Sequence, residues 1–348
     1  MLGADKKLLF LLSALVVSFF VGILLLRAGQ HPQIVSLEGQ TMGTRYRLLF
    51  HDSSFESDND RQILIQAVDA RLDFLDSTVF STYAKDSQLS RFNSEIGAPV
   101  QVAPELLTVL LAAGEVHHLS KGAFDVTIKP VIDLWGFGPD IREQVIPDLA
   151  QLELALSKKG MQSIIVNMNQ STISKGFDQA VDLSAIAKGF AVDEIARLLE
   201  SHGLEDYLVE IGGEVVASGS RPDGESWQLG IERPEPGVPA LMQRINNAGN
   251  KIAVAASGDY RNFFLHEGQR YSHVIDPRTG WPVSHGLVSV TVVSESAMLA
   301  DAWATAMMVL GPEEGVKLAN ELQLAAYFIL GDGSGFHTRH SDAFNRYF

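Results

Sequence analysis

Apolar positions change period several times along the chain, and each change marks an element. Between residues 34 and 50 two apolar runs flank Gln40-Thr41-Met42-Gly43-Thr44, which predicts a pair of strands. Leu64, Val68, Leu72, Leu75 and Val79 recur at helical spacing and predict an amphipathic helix over 61–79. Pro104 suits a first helical position and opens a helix through about residue 119. Residues 124–128 have strand character, and 130–139, containing Leu134-Trp135-Gly136-Phe137-Gly138, reads as an apolar loop. A short helix runs from Pro147 to Gly160, and 164–167 pairs with 172–174 as a hairpin. A helix follows over 185–201 with Ser184 as its N-cap. Strand-like runs then come in a block: 207–219, broken at Gly212-Gly213, then 227–232, 251–256, 263–265 and 271–275. An apolar helix over 297–310 and a strand near 325–330 complete the pattern. Helices and antiparallel runs come in blocks without βαβ alternation, so the fold class is α+β.

The helix at 297–310 carries the sharpest anomaly. It is almost wholly apolar except for Asp301 and Thr305, which lie four apart and share a face. An ionised carboxylate there costs several kcal/mol unless something pairs with it, and no Lys or Arg lies within a turn. Two hard oxygens on one face suit Mg²⁺, which takes one or two carboxylates plus substrate phosphates. The competing reading is an Asp that caps a neighbouring loop, with Thr305 bonding back to its own helix.

Two further groups carry possible chemistry. Asp182 ends a strand and Lys188 lies in the first turn of the next helix, where helix dipole and ammonium together favour an anion. An ordinary strand-to-helix turn with a solvated Lys accounts equally for the pattern. His273 precedes an Asp276-Pro277-Arg278-Thr279-Gly280 turn; it is a candidate general base or a structural His. No Walker loop, dinucleotide fingerprint, GxSxG elbow or HExxH is present.

Composition narrows the classes. Among 348 residues 46% are apolar, enough for a large core, and the net charge of −15 argues against a nucleic-acid surface. The absence of cysteine excludes disulfides, thiolate metal sites and cysteine lipidation. Residues 8–26 form an uncharged apolar run of membrane-spanning length, with Lys6 and Lys7 before it and Arg27 after. The expected organisation is a cytoplasmic tail over 1–7, a retained anchor (or signal) over 8–26, a linker over 27–36 and one domain over 37–348.

Seven segments, taken in order, resemble the ApbE family of FAD:protein FMN transferases: QTMGTRY from Gln40, FSTYAKDSQLSRFN from Phe80, GAFDVTIKPVIDLWGFG from Gly122, VDLSAIAKGFAVD from Val181, VEIGGEV from Val209, SHVIDPRTGWPV from Ser272 and ADAWATAMMVLG from Ala300. The resemblance implies a single large α+β domain, T-fold-related and built of two fused subdomains. It implies Mg²⁺-dependent transfer of FMN from FAD, as substrate, to a Thr or Ser hydroxyl of a partner protein, with release of AMP. The implied partners are flavin-carrying subunits of membrane redox pumps, such as the sodium-translocating NADH:quinone reductase or the Rnf-type complex. It places Met42, Tyr83, Ala123, Phe124, Asp125, Asp182, Lys188 and Ile275 around FAD, and Ala185 (through its carbonyl), Asp301 and Thr305 on Mg²⁺. Catalysis falls to His273 and Asp301. Phe80, Tyr83, Phe124 and Trp135 are candidate surfaces for the two ring systems. On this view the buried Asp301 pairs with the cation that arrives with its substrate. The alternatives are a FAD pyrophosphatase and a non-catalytic flavin-binding or delivery protein. Many members carry a lipobox cysteine that this chain lacks; a retained single-pass anchor in a bacterial inner membrane, with the domain facing the periplasm, replaces it.

Overall fold

The computed structural model describes residues 34–51, 55, 57–138, 144–235, 240–260, 262–332 and 335–348. The expected tail and anchor, 1–26, and most of the linker lie outside the described residues; residues 34–36 already belong to the first strand. Among the described residues no helix is long and apolar enough to cross a membrane.

The centre is an eight-stranded antiparallel sheet. Its strands are β1 (Ile34–Thr41), β2 (Thr44–His51), β6 (Tyr207–Ile211), β7 (Glu214–Ser218), β10 (Ile252–Gly258), β13 (Leu287–Ser294), β14 (Ala325–Gly331) and β15 (Phe336–His340), in that spatial order. Period-two alternation sorts their side chains onto two faces. One face carries Tyr46, Leu48, Phe50, Val209, Ile211, Val216, Ala253, Ala255, Val290, Val292 and Phe328, all in the main core. Over it lie α6 (Ala187–Ser201) and α7 (Ala297–Glu321), with α1 (Asp58–Asp73), α2 (Gln88–Ser94) and α3 (Pro104–Leu119) outside them. The other face is partly covered by the hairpin β8 (Gln228–Glu232) and β9 (Leu241–Asn246), whose Ile231 and Ile245 join Val254, Val293, Tyr327 and Phe344 in a second core.

Smaller pieces complete the fold. A three-stranded sheet joins β3 (Val100–Gln101), β5 (Thr172–Lys175) and β4 (Ile164–Asn167). The helices α4 (Lys129–Leu134) and α5 (Leu149–Ser157) pack on a third core with Trp135 at its centre. The hairpin β11 (Phe263–His266) and β12 (Gln269–Ser272) stacks on that tryptophan: Tyr271 lies 5.7 Å from the Trp135 ring and Phe264 6.3 Å.

The structure departs from the sequence expectations at six places. The helix predicted over 61–79 begins at Asp58, where Ser57 accepts from the Asp60 N–H, and widens to a π-helix over Phe74–Phe80. Residues 124–128 do not form a strand: Asp125 Oδ1 accepts from both Thr127 N–H and Thr127 Oγ1, which closes a 3₁₀ turn over Val126–Ile128. Residues 130–134, expected in a loop, belong to α4, with Pro130 in its first turn. Ser184 is not an N-cap: α6 begins at Ala187, and Ser184 N–H instead donates to Asp182 Oδ1 at 2.8 Å. The last helix runs on to Glu321 through a break at Gly311 (φ 78°, ψ 179°), followed by Pro312. Strand β9 has no counterpart in the sequence reading.

Candidate active site

A cleft of about 1150 Å³ opens where α6 and α7 meet the sheet end at Gly212-Gly213. Close approach of the two helices sets its geometry. At Gly189 a Cβ would collide with the Ala297 carbonyl, so only glycine allows this crossing. Asp193 of α6 then caps α7: it accepts from Ala297 N–H at 2.8 Å, Met298 N–H at 3.0 Å and Ser296 Oγ at 2.6 Å. The crossing places Asp301, only 5% exposed, beside the N-terminus of α6.

Asp301 has protein partners. Its Oδ2 accepts from Gly189 N–H at 3.2 Å and lies 3.7 Å from Lys188 Nζ. Lys188, remote in sequence, faces the carboxylate that the sequence left without a nearby basic partner. Burial raises the Asp301 pKa, and Lys188 and Gly189 oppose that shift without cancelling it. Lys188 also donates to Glu214 Oε1 at 2.8 Å. Burial by itself would lower the Lys188 pKa, but Asp301 and Glu214 outweigh it, so the ammonium is held charged well above its ordinary range.

Glu214 was not singled out in the sequence, although a signal existed. It follows the Gly212-Gly213 turn and pairs across it with Ile211, so alternation places an ionisable group on the core face. It is 4% exposed, and its Oε2 is buried without a hydrogen-bond partner. Burial first, then the nearby Asp301, pushes its pKa up to about 7.

Most predicted site residues line this one cleft: Ala123, Phe124, Asp125, Asp182, Ala185, Lys188, His273, Ile275, Asp301 and Thr305. Asp125 Oδ2 is buried without a hydrogen bond, 3.7 Å from His117 Nδ1 and 3.8 Å from Lys159 Nζ. Met42 and Tyr83 are not among the lining residues. Met42 N–H donates to Asp76 at 2.7 Å, and Tyr83 is 76% exposed. Trp135 and Phe80 are also not free surfaces: Trp135 is fully buried with its Nε1 on the Gly280 carbonyl, and Phe80 packs edge-on against Phe190. Buried aromatic packing has claimed both rings.

His273 is half-buried behind the aromatic stack, with Phe137 6.3 Å from its ring. Its Nδ1 lies 2.9 Å from the Asn262 carbonyl. A carbonyl only accepts, so Nδ1 carries the proton and Nε2 is the acceptor. Burial lowers the His273 pKa from 6.5, outweighing the Asn262 bond and nearby Asp259. A neutral imidazole with a defined acceptor nitrogen is what a general base requires.

The oxygens expected to hold Mg²⁺ suit it. Among the described residues no backbone N–H donates to the Ala185 carbonyl, because Gly189 N–H turns to Asp301 instead. Thr305 lies one turn after Asp301 on the same helix and lines the cleft. Among the described residues no three His, Cys, Asp or Glu cluster as a metal cage. One carboxylate, one carbonyl and one hydroxyl lining a single cleft fit a Mg²⁺ whose remaining ligands are phosphate and water.

The chain matches known proteins over most of its length. The ApbE family model matches residues 42–328. The FAD:protein FMN transferase of Vibrio cholerae is 40% identical over 92% of this chain and 95% of its own. That of Haemophilus influenzae is 38% identical over 91% and 92%, and that of Escherichia coli K12 is 36% identical over 94% of each. The structure of the flavin transferase ApbE from Vibrio cholerae superposes with a TM-score of 0.82 at 38% identity, covering 91% of this chain and all of that one. The apo flavinyl transferase ApbE from Pseudomonas stutzeri gives 0.82 at 35% identity, over 91% and 97%. With the match spanning both the helix crossing at Gly189 and the turn at Gly212-Gly213, the chain belongs to the ApbE family.

Proposed function

We propose that this protein transfers FMN from FAD to a Thr or Ser hydroxyl of a partner protein and releases AMP. The observation that carries the proposal is the Lys188 ammonium held between Asp301 and Glu214 at the N-terminus of α6, in a cleft that also holds a neutral His273. The acceptor oxygen forms a bond to the FMN phosphorus while the bridging P–O bond of the pyrophosphate breaks. The acceptor proton passes to His273 Nε2, and AMP leaves with the bonding pair. Phosphoryl transfer of this kind needs positioning and charge neutralisation more than covalent help. Lys188 and the α6 N-terminus offset the pyrophosphate charge. Asp125, Asp182 and Ile275, with Ala123 and Phe124, line the wall along which FAD lies. Met42 and Tyr83 lie outside the residues that line that wall. Ala185, Asp301 and Thr305 are the residues that would hold Mg²⁺, which supplies Lewis-acid stabilisation of the pyrophosphate oxygens when bound.

The partners we propose are flavin-carrying subunits of membrane redox pumps, of the sodium-translocating NADH:quinone reductase or Rnf type. Residues 8–26 would tether the domain, reading as two fused T-fold subdomains over 37–348, to the periplasmic side of the inner membrane. The test is incubation with FAD, Mg²⁺ and a purified acceptor subunit, followed by denaturation. Gel-retained flavin fluorescence together with AMP is the expected result. AMP with free FMN alone identifies a pyrophosphatase and overturns the proposal, as does the absence of both products.

A further inference from the structure

The cleft has a second arm. Beyond the Gly212-Gly213 turn it continues onto the sheet face opposite the catalytic helices, under the β8–β9 hairpin. Leu208, Glu210, Val215, Ala256 and Thr291 form its floor, and β8 forms one wall. The floor lies in the middle of the eight-stranded sheet, yet Ala256 is exposed. The arm runs along β10 to Ser257 and Gly258 and from there to Asn262 and His273. The whole cleft, at about 1150 Å³, exceeds the usual 300–1,000 Å³ of a site for one small ligand.

We propose that this sheet-face arm is the channel for the protein acceptor. Its occupant is an extended, hydroxyl-bearing segment with small side chains over Ala256 and a Lys or Arg that meets Glu210. Two observations select that occupant. The arm is continuous with the catalytic pocket and reaches the residue that takes the hydroxyl proton, so a segment lying in it delivers its hydroxyl to His273. Glu210 lines the arm half-buried without a basic partner among the described residues; its cross-strand neighbour Arg47 pairs with Glu38 at 3.3 Å. A carboxylate so placed favours a cation and rejects an anion. Arg45, which also lines the cleft, stands at the Gly212 end, where its carbonyl accepts from Gly212 N–H.

The proposal rests on the flavin-transfer reading, and the experiment separates the two. Wild type, Glu210→Lys and Ala256→Trp are compared for FAD binding, followed by flavin fluorescence without acceptor. They are then compared for FMN transfer to the purified flavin-acceptor subunit of a sodium-translocating NADH:quinone reductase. Both variants should bind FAD like wild type and raise the acceptor KM about tenfold, the loss expected for one attractive charge or one blocked contact. An acceptor in which the basic residue nearest the modified hydroxyl is changed to Glu should recover with Glu210→Lys and fail with wild type. Wild-type acceptor KM in both variants overturns the proposal. Loss of FAD binding in both also overturns it, because the arm then belongs to the FAD site. FAD cleavage by wild type with no FMN on the acceptor removes the transfer reading itself, and this proposal with it.

Discussion

At Lys188 one ammonium faces two buried carboxylates, Glu214 at 2.8 Å and Asp301 at 3.7 Å, and the chemistry of the cleft depends on that arrangement. Asp301→Asn keeps the shape of the side chain and its Gly189 contact but removes the charge. FMN transfer should fall roughly 10²–10³-fold, the scale of losing one preorganised electrostatic group, while the thermal midpoint stays near that of wild type. Rates unchanged in this variant, or indifferent to a chelator, would contradict the proposed Mg²⁺ role of Asp301. His273→Gln should lower the transfer rate by about 10²–10⁴-fold, the range for general base catalysis, with FAD binding preserved. Because burial lowers the His273 pKa, the acid limb of kcat/KM in wild type should lie below 6.5 and vanish in the variant. Glu214 titrates in the opposite sense. Its pKa is raised in the folded protein from 4.5 to about 7, so the folded state binds more protons across that window. Its contribution to stability is fully present below 4.5 and is lost as pH rises through about 7. Thermal melts of chelated protein between pH 5 and 8 should show this decline, and Glu214→Gln should remove it. Asp301 and Thr305 were legible in the sequence because polar residues interrupt an apolar helix. Lys188 was legible as a residue but not as the partner of Asp301, since nothing local links residues 188 and 301.

The site is fixed by the crossing of α6 and α7, where Gly189 meets the Ala297 carbonyl and Asp193 caps α7. Gly189→Ala would force the helices apart. It should cost about 1–3 kcal/mol, as overpacking does elsewhere, and weaken FAD binding because Lys188 and Asp301 move relative to each other. Urea titration and flavin fluorescence would check both. A variant as stable as wild type would show that the crossing yields freely. Long periodic elements were legible, as the Leu64-Val68-Leu72 spacing and the Pro104 start of α3 show. Short elements defined by side-chain capping were not: the Asp125 turn and α4 depend on hydrogen bonds that no hydrophobic period encodes. The apolar segment around Trp135 was noticeable as unusual, but its role as the core under the β11–β12 hairpin depends on partners more than a hundred residues away.

Across the whole molecule, one antiparallel sheet serves two purposes. One face builds the main core and, at its Gly212-Gly213 end, presents Glu214 to the helices; the other face stays open beside the β8–β9 hairpin. The α+β class follows from blocks of strands and helices in the sequence. The order of the eight strands does not, since β6 inserts beside β2 across more than 150 residues. The cleft exists only because that pairing brings residues 182–188, 210–214, 273–275 and 301–305 together. The central claim is that such a cleft couples FAD cleavage to modification of a protein hydroxyl. The most direct measurement is intact-mass spectrometry of the acceptor after reaction with FAD and Mg²⁺, with AMP quantified in the same tube. The account predicts one FMN added to a Thr or Ser for each AMP released; AMP accumulating with no change in acceptor mass would contradict it.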